Sequence, residues 1–294
     1  MGADLLLHFD DEQDAAQRLA QAAGLAMAAV TRHRFPDGEI RLRLPDALPE
    51  RVVLLRSLDR PNDKLVELLL VARTARELGA AHLALVAPYL AYMRQDIAFH
   101  PGEAVSQRIV GRFLADLFDA VITVDPHLHR VATLHDAVPA ARTVVLSGAP
   151  LLADLIALRR PGALLVGPDS ESAQWVSQAA ARHGFEHAVC SKRRQGDHLV
   201  EIQLPAHPVA GRAVVLLDDV ASTGHTLAQA ARLLRAAGAA TVDVAVTHAL
   251  FAGDAEARLR EAGVGEIWST DCIAHPSNAV FMADALAQAL ASMR

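Results

Sequence analysis

Apolar residues recur along this chain in two alternating rhythms. Short unbroken runs occur at Leu5-Leu6-Leu7, Val52-Val53-Leu54-Leu55, Leu83-Ala84-Leu85-Val86, Ala120-Val121-Ile122-Thr123-Val124, Ala163-Leu164-Leu165-Val166, Ala213-Val214-Val215-Leu216-Leu217 and Val242-Asp243-Val244-Ala245-Val246. Bounded by Gly, Pro or Asp, such runs predict central parallel strands covered on both faces. Between them the apolar positions fall at helical spacing, as at Leu65, Leu68, Leu69 and Ala72, or Leu227, Ala230, Ala231, Leu233 and Leu234. Both stretches run into a glycine, Gly79 and Gly238, the residue that supplies a left-handed helix cap. Strand, helix and strand in repetition make the βαβ unit, so the pattern predicts an α/β fold.

The stretch from Arg51 to Gly79 parallels the stretch from Arg212 to Gly238. Two similar domains follow, each a mainly parallel sheet flanked by helices, which suits a chain of 294 residues. Ser147-Gly148 interrupts the pattern and sets the expected boundary: residues 1–146 form one domain and 147–278 the other. The final helix, 279–294, is expected to pack back onto the first domain. A formal charge of −6 leaves no basic footprint, so nucleic acid and anionic membranes are not expected partners. The best apolar run is broken by Glu67 and closed by Arg73, which excludes a membrane span. Cys190 and Cys272 match no zinc spacing, and the acidic N-terminus is no signal peptide. A reducing, cytoplasmic setting is expected.

The most informative stretch runs from Val214 to Leu227. An apolar strand ends in Asp218 and Asp219, and the chain then passes through Ser222, Thr223, Gly224, His225 and Thr226 into an amphipathic helix. Ligands of open α/β sheets sit at the carboxyl ends of strands. Backbone N–H groups and three hydroxyls at a helix start make an anion site, and the two carboxylates suit sugar hydroxyls or the waters of Mg²⁺. Phosphate at one end and hydroxyls at the other describe a sugar phosphate. The plainer alternative is an acidic strand end followed by an ordinary Ser/Thr cap. Neither the three-glycine dinucleotide fingerprint nor a Gly-Lys-Ser/Thr loop is present.

The string from Asp218 to Thr226 resembles the phosphoribosyl-diphosphate loop shared by type I phosphoribosyltransferases and ribose-phosphate diphosphokinases. Other segments resemble the second family. Phe35, Asp37, Gly38 and Glu39 match its adenine-contacting segment, and Pro88-Tyr89 with Arg94-Gln95-Asp96 match its ATP-contacting motif. His127, after Val124-Asp125-Pro126, and Asp169, after Gly167-Pro168, match the segments placed at the magnesium site. Ser191-Lys192-Arg193-Arg194 matches the mobile catalytic loop, in which Lys192 and Arg194 would embrace the transferring phosphates. Singly, each piece has a bland reading: Asp37-Gly38 is a common hairpin turn, and Lys192-Arg193-Arg194 is an ordinary solvated charge run. Their shared order along the chain is what is specific. The resemblance implies a Mg²⁺-dependent transfer of the diphosphoryl group of ATP to ribose 5-phosphate, with Asp218, Asp219, Ser222, Thr223, Gly224, His225, Thr226 and Arg194 on the pentose ester. It also implies a homo-oligomer, at least a dimer, with an ATP site shared between subunits. A phosphoribosyltransferase consuming phosphoribosyl diphosphate, or a catalytically weak regulatory homologue, are the alternatives. Departures from the family pattern are Ile97 in place of a basic residue, Glu171-Ser172 in place of a glycine-type pair, Ser222 in place of a third aspartate, and His225, which could crowd the phosphate.

Overall fold

The computed structural model describes residues 5–128, 130–195, 199–204 and 207–293, with the backbone alone for 192–195 and 199–201. The chain divides into two units, Met1–Leu146 with Met282–Arg294, and Ser147–Phe281. The first opens with β1 (Leu5–His8), α1 (Gln13–Ala23) and β2 (Ala26–Ala29), then the hairpin β3 (Thr31–Arg34) and β4 (Ile40–Arg43). It continues through β5 (Arg51–Leu55), α2 (Pro61–Glu77), β6 (His82–Ala87), α3 (Ser106–Leu117), β7 (Ala120–Val124), α4 (Leu134–Ala137) and β8 (Arg142–Leu146). The second comprises α5 (Ala149–Arg159), β9 (Leu164–Gly167), α6 (Ala173–His183), β10 (His187–Val189), and the hairpin β11 (Ser191–Gln195) and β12 (Leu199–Gln203). Then come β13 (Ala213–Ala221), α7 (His225–Ala236), β14 (Thr241–Ala249), α8 (Ala255–Glu261), β15 (Ile267–Thr270) and β16 (Asn278–Val280). A last helix, α9 (Ala283–Ser292), belongs to the first unit and lies against α1.

Each unit holds one parallel sheet, ordered β2-β1-β5-β6-β7-β8 in the first and β10-β9-β13-β14-β15-β16 in the second. Read by order of appearance, both sheets run 2-1-3-4-5-6, and each has an antiparallel hairpin inserted between its second and third strands. The matched topology is the structural counterpart of the parallel between Arg51–Gly79 and Arg212–Gly238. The order in which the chain lays down strands reverses between the parallel neighbours β1 and β5 in one unit and between β9 and β13 in the other. Crevices open at such reversals, outside the carboxyl ends of the strands.

Burial on both faces explains the continuous apolar runs. In the second unit Leu164, Leu216 and Val244 enter one core cluster, while their neighbours Leu165, Leu217 and Ala245 enter another with Trp175 and Trp268. Alternate strand residues point to opposite faces, so each face needs its own apolar set. In the first unit Leu7, Leu54, Leu85 and Val121 are fully buried under helices. Gly79 and Gly238 follow α2 and α7 with φ of 111° and 89°, the left-handed region that favours glycine. The sequence pattern missed the edge strands β2 and β8, whose residues are half-buried or exposed and so lack a continuous apolar signature. Among the described residues no helix is long and apolar enough to cross a membrane.

Candidate functional site

The crevice of the second unit is built from the ends of β9 and β13. After Gly167 the chain turns at Asp169, whose Oδ1 accepts the N–H of Glu171 at 2.9 Å, while Ser172 Oγ donates to the Asp169 carbonyl at 2.6 Å. A β-carbon at Gly167 would lie 2.2 Å from Ser172 Oγ, so this close return of the chain needs glycine. Ser172, one of the two departures after Pro168-Asp169, is therefore the hydroxyl that ties the turn. The adjoining thiol of Cys190 is buried, and burial followed by the Asp169 charge pushes it up to about 11, which leaves it protonated and unreactive.

β13 does not stop at Leu217. It pairs with β14 as far as Ala221↔Ala249, because the partner strand is equally long, and Asp218 and Asp219 consequently stand on the strand itself. Asp219 is buried and Asp218 partly so. Burial first, then the charges of Asp219 and Asp169, raise the Asp218 carboxyl well above the usual carboxylate range. Three carboxylates thus share one corner of the sheet. An acid whose folded-state value is raised favours the folded state below its ordinary value, and loses that contribution as pH rises through the raised one. Asp218→Asn is accordingly expected to raise the melting temperature at neutral pH and to narrow the gap between mildly acidic and neutral conditions. Thermal unfolding across that range checks it; a lower melting temperature at neutral pH would contradict it.

Beyond Ala221 the loop is braced from behind. Phe251 N–H donates to the Ala221 carbonyl at 2.9 Å and Ala252 N–H to the Ser222 carbonyl at 3.0 Å. Gly224 takes φ 72° and precedes α7, which starts at His225; a β-carbon there would sit 3.2 Å from the Ala255 carbonyl of α8. Thr223 and His225 are exposed, while Ser222 and Thr226 are half-buried. The segment expected as a loop, 191–194, is instead strand β11 paired with β12, in the register Lys192↔Ile202 and Arg194↔Val200. Alternating Val200 and Ile202 supply a strand-forming partner that the charge run conceals. The side chains of Lys192 and Arg194 lie outside the described residues.

In the first unit the equivalent crevice, between β1 and β5, is filled by the chain's own ions. Arg56 is buried and its fork meets Asp11 at 2.9 Å, Glu12 at 3.0 Å and Glu67 at 2.5 Å, with the Phe9 ring 4.4 Å beneath it. Arg32 of β3 joins through Glu67 at 2.5 Å and Asp10 at 3.0 Å. Burial pulls the Arg56 guanidinium down, but the carboxylates of Glu12, Glu67 and Asp11 outweigh it and hold the charge firmly. The β3–β4 turn carries Phe35, Asp37, Gly38 and Glu39 together. Phe35 N–H donates to the Glu39 carbonyl at 2.8 Å, Asp37 accepts from Glu39 N–H at 3.1 Å, and Gly38 adopts φ 96°. Arg34 ties this hairpin to α2 through Asp63 at 2.7 Å, and Phe35 is exposed with the His33 ring at its edge.

Two further segments meet at the adjacent ends of β6 and β7. Arg94 is exposed and Gln95 half-buried, whereas Asp96 is buried and accepts from Arg130 at 2.7 Å. Gln107 holds the same segment, its N–H donating to the Gln95 carbonyl and its side chain to the Met93 carbonyl, each at 3.2 Å. Tyr92, at φ 63°, bonds Asn62 of α2. Asp125 turns the chain at φ 37° and sets His127 half-buried just beyond β7. Sequence reasoning missed Arg130, Glu67, Arg56, Asp254 and Arg258. Only Asp254 and Arg258 carry a local cue, the i,i+4 spacing of an ordinary surface pair.

Comparison with known proteins adds to this geometry. A family model described as the N-terminal domain of ribose phosphate pyrophosphokinase matches residues 5–117, and a phosphoribosyl transferase domain model matches 151–287. The chain is 38% identical over 281 residues to a ribose-phosphate pyrophosphokinase of Methanopyrus kandleri, covering 94% of this chain and 95% of that one. It is 35% identical over 279 residues to one from Methanosarcina acetivorans, with coverage of 94% and 95%. A crystal structure of phosphoribosylpyrophosphate synthetase from Mycobacterium smegmatis shares the fold, with a TM-score of 0.85 over 99% of both chains at 24% identity.

Proposed function

The chain belongs to the ribose-phosphate pyrophosphokinase family, and from that membership we propose how its two units divide the work. The enzyme transfers the diphosphoryl group of ATP to the C1 hydroxyl of ribose 5-phosphate, giving 5-phosphoribosyl 1-diphosphate and AMP. One observation carries the division: Arg56 and its carboxylates fill the crevice of the first unit, while that of the second is lined by Asp169, Asp218, Asp219 and the 222–226 loop. The pentose ester therefore belongs to the second unit. Backbone donors and hydroxyls from Ser222 to Thr226 take its phosphate at the start of α7, and Asp218 and Asp219 take its hydroxyls. ATP belongs to the first unit, with Phe35, Asp37, Gly38 and Glu39 toward adenine and Arg94 and Gln95 toward the phosphates. Asp96 serves that segment through Arg130.

The C1 hydroxyl attacks the β-phosphorus in line as AMP departs. Such a transfer asks the protein for positioning and charge neutralisation rather than covalent help. Lys192 and Arg194 supply positive charge to the transferred phosphates. The donor set fits Mg²⁺, since hard carboxylate oxygens suit it and Asp169, Asp218 and Asp219 bring three carboxyl groups close enough to raise Asp218 together with its burial. Among the described residues no three His, Cys, Asp or Glu side chains form a ready metal cage. From the resemblance, His127 in the first unit and Asp169 in the second are each proposed as magnesium residues, and a bound ion would supply neutralising charge to the triphosphate. A homo-oligomer is proposed as well. Exposed Phe35, Val66, Leu69 and Leu70 cluster on the first hairpin and α2, beside a cavity of about 250 Å³ lined by Arg34, Ile40 and Leu70.

Purified protein given ATP, Mg²⁺ and ribose 5-phosphate is expected to form AMP and phosphoribosyl diphosphate in equal amounts. Absence of AMP would overturn the reading. Pyrophosphate released only from a nucleobase and phosphoribosyl diphosphate would make it a phosphoribosyltransferase, and neither product would make it a regulatory homologue.

A further inference from the structure

His225 stands in the middle of the loop assigned to the pentose phosphate. Its ring does not stand alone. Arg258 of α8 lies across the loop, with Nη1 donating to the Thr223 carbonyl at 2.6 Å and lying 3.2 Å from His225 Nδ1. Nη2 of the same side chain is held by both carboxylate oxygens of Asp254, at 2.8 and 2.9 Å. Arginine has no acceptor, so Nδ1 must be the lone-pair nitrogen of the imidazole. The ring proton is thereby assigned to Nε2, and His225 presents an N–H donor on an exposed side chain at the first position of α7.

We infer that Arg258 is a positioning residue for pentose-phosphate binding, acting through the Thr223 carbonyl and the His225 ring. The inference rests on the reading of 222–226 as the phosphate loop. Arg258 bonds the residues on either side of Gly224, and Gly224 in turn packs on Ala255, one helical turn before Arg258 on α8. The loop is therefore held at three consecutive residues by one short helix. Held in this way, His225 is drawn toward α8 and adds a donor to an anion site. The fork is what allows this: one nitrogen spans the carbonyl and the ring while the other is anchored on Asp254. An ammonium would keep the charge and lose the geometry.

The test compares Arg258→Gln and Arg258→Lys with wild type in steady-state AMP formation, with ribose 5-phosphate binding measured separately by calorimetry. KM for ribose 5-phosphate is expected to rise about tenfold or more in Arg258→Gln, as for loss of charge-assisted bonds, with kcat and KM for ATP nearly unchanged. Arg258→Lys should recover only a small part. Adding His225→Ala to Arg258→Gln should cost little more, because the ring has already lost its anchor. A KM for ribose 5-phosphate within twofold of wild type, or an equal rise in KM for ATP, would overturn the inference. Should Arg258→Gln not fold, the lysine variant carries the same comparison. Wild-type protein that binds ribose 5-phosphate yet forms no AMP would sink the proposed reaction, and the calorimetric difference between wild type and variant would still decide the role of Arg258. Wild-type protein that binds no ribose 5-phosphate would overturn both.

Discussion

AMP formation by a Lys192→Ala protein is expected to fall by roughly 10²–10³-fold, the typical effect of removing one donor aimed at developing charge. Its unfolding midpoint should stay where wild type has it. Lys192 stands on β11, which among the described residues pairs with β12 alone, outside the six-stranded sheet that carries the core of its unit. The loss therefore falls on the reaction rather than the fold. Because Lys192 and Arg194 are assigned to the same phosphates, the double alanine variant should lose much less than the product of the single effects. Steady-state kinetics with urea unfolding as a control decide the matter, and near-normal turnover in Lys192→Ala would reject its role.

The largest effect on stability is expected at Glu67. Its two oxygens bridge Arg32 and Arg56 at 2.5 Å each, and both Glu67 and Arg56 are about 1% exposed. Glu67→Ala would leave a buried guanidinium short of one counter-charge, at a cost of about 3–5 kcal/mol for a broken buried pair. Asp11 and Glu12 remain, so Arg56 stays charged and the damage is to packing and balance rather than to protonation. Glu67→Gln keeps the shape and should lose less. A urea midpoint for Glu67→Ala within experimental scatter of wild type would refute this. The same cluster ties the β3–β4 hairpin to α2, so KM for ATP should rise in the glutamine variant before stability fails.

What was legible in the sequence follows from where the information lies. Seven central strands could be read because burial on both faces forces a continuous apolar run. The Asp218–Thr226 loop could be read because its chemistry is contiguous. Edge strands such as β8, half solvated, left no run to read. The end of β13 was placed too early because a carboxylate reads as a strand terminus, whereas its length is set by β14 on the neighbouring strand position. Arg258 and its loop are separated by more than thirty residues of sequence, as are Arg130 and Asp96, so no local spacing announces either pair. The Lys192-Arg193-Arg194 run suggested a loop, and only its pairing with Leu199–Gln203 shows a hairpin. Ser172 and Glu171 looked like departures at a binding segment; Ser172 instead supplies the hydroxyl that closes the turn.

The distribution of aromatic residues gives this chain built-in optical reporters. Its two tryptophans, Trp175 and Trp268, are both in the core of the second unit, and its two tyrosines, Tyr89 and Tyr92, are both in the first. Fluorescence excited selectively at the indole band therefore follows the melting of the second unit alone, whereas far-ultraviolet ellipticity sums over both units. In wild type the two signals test whether the halves melt as one. In Glu67→Ala, ellipticity should begin to fall at a lower denaturant concentration than the indole emission, and the interval between the two curves measures how far the first unit depends on its ion cluster.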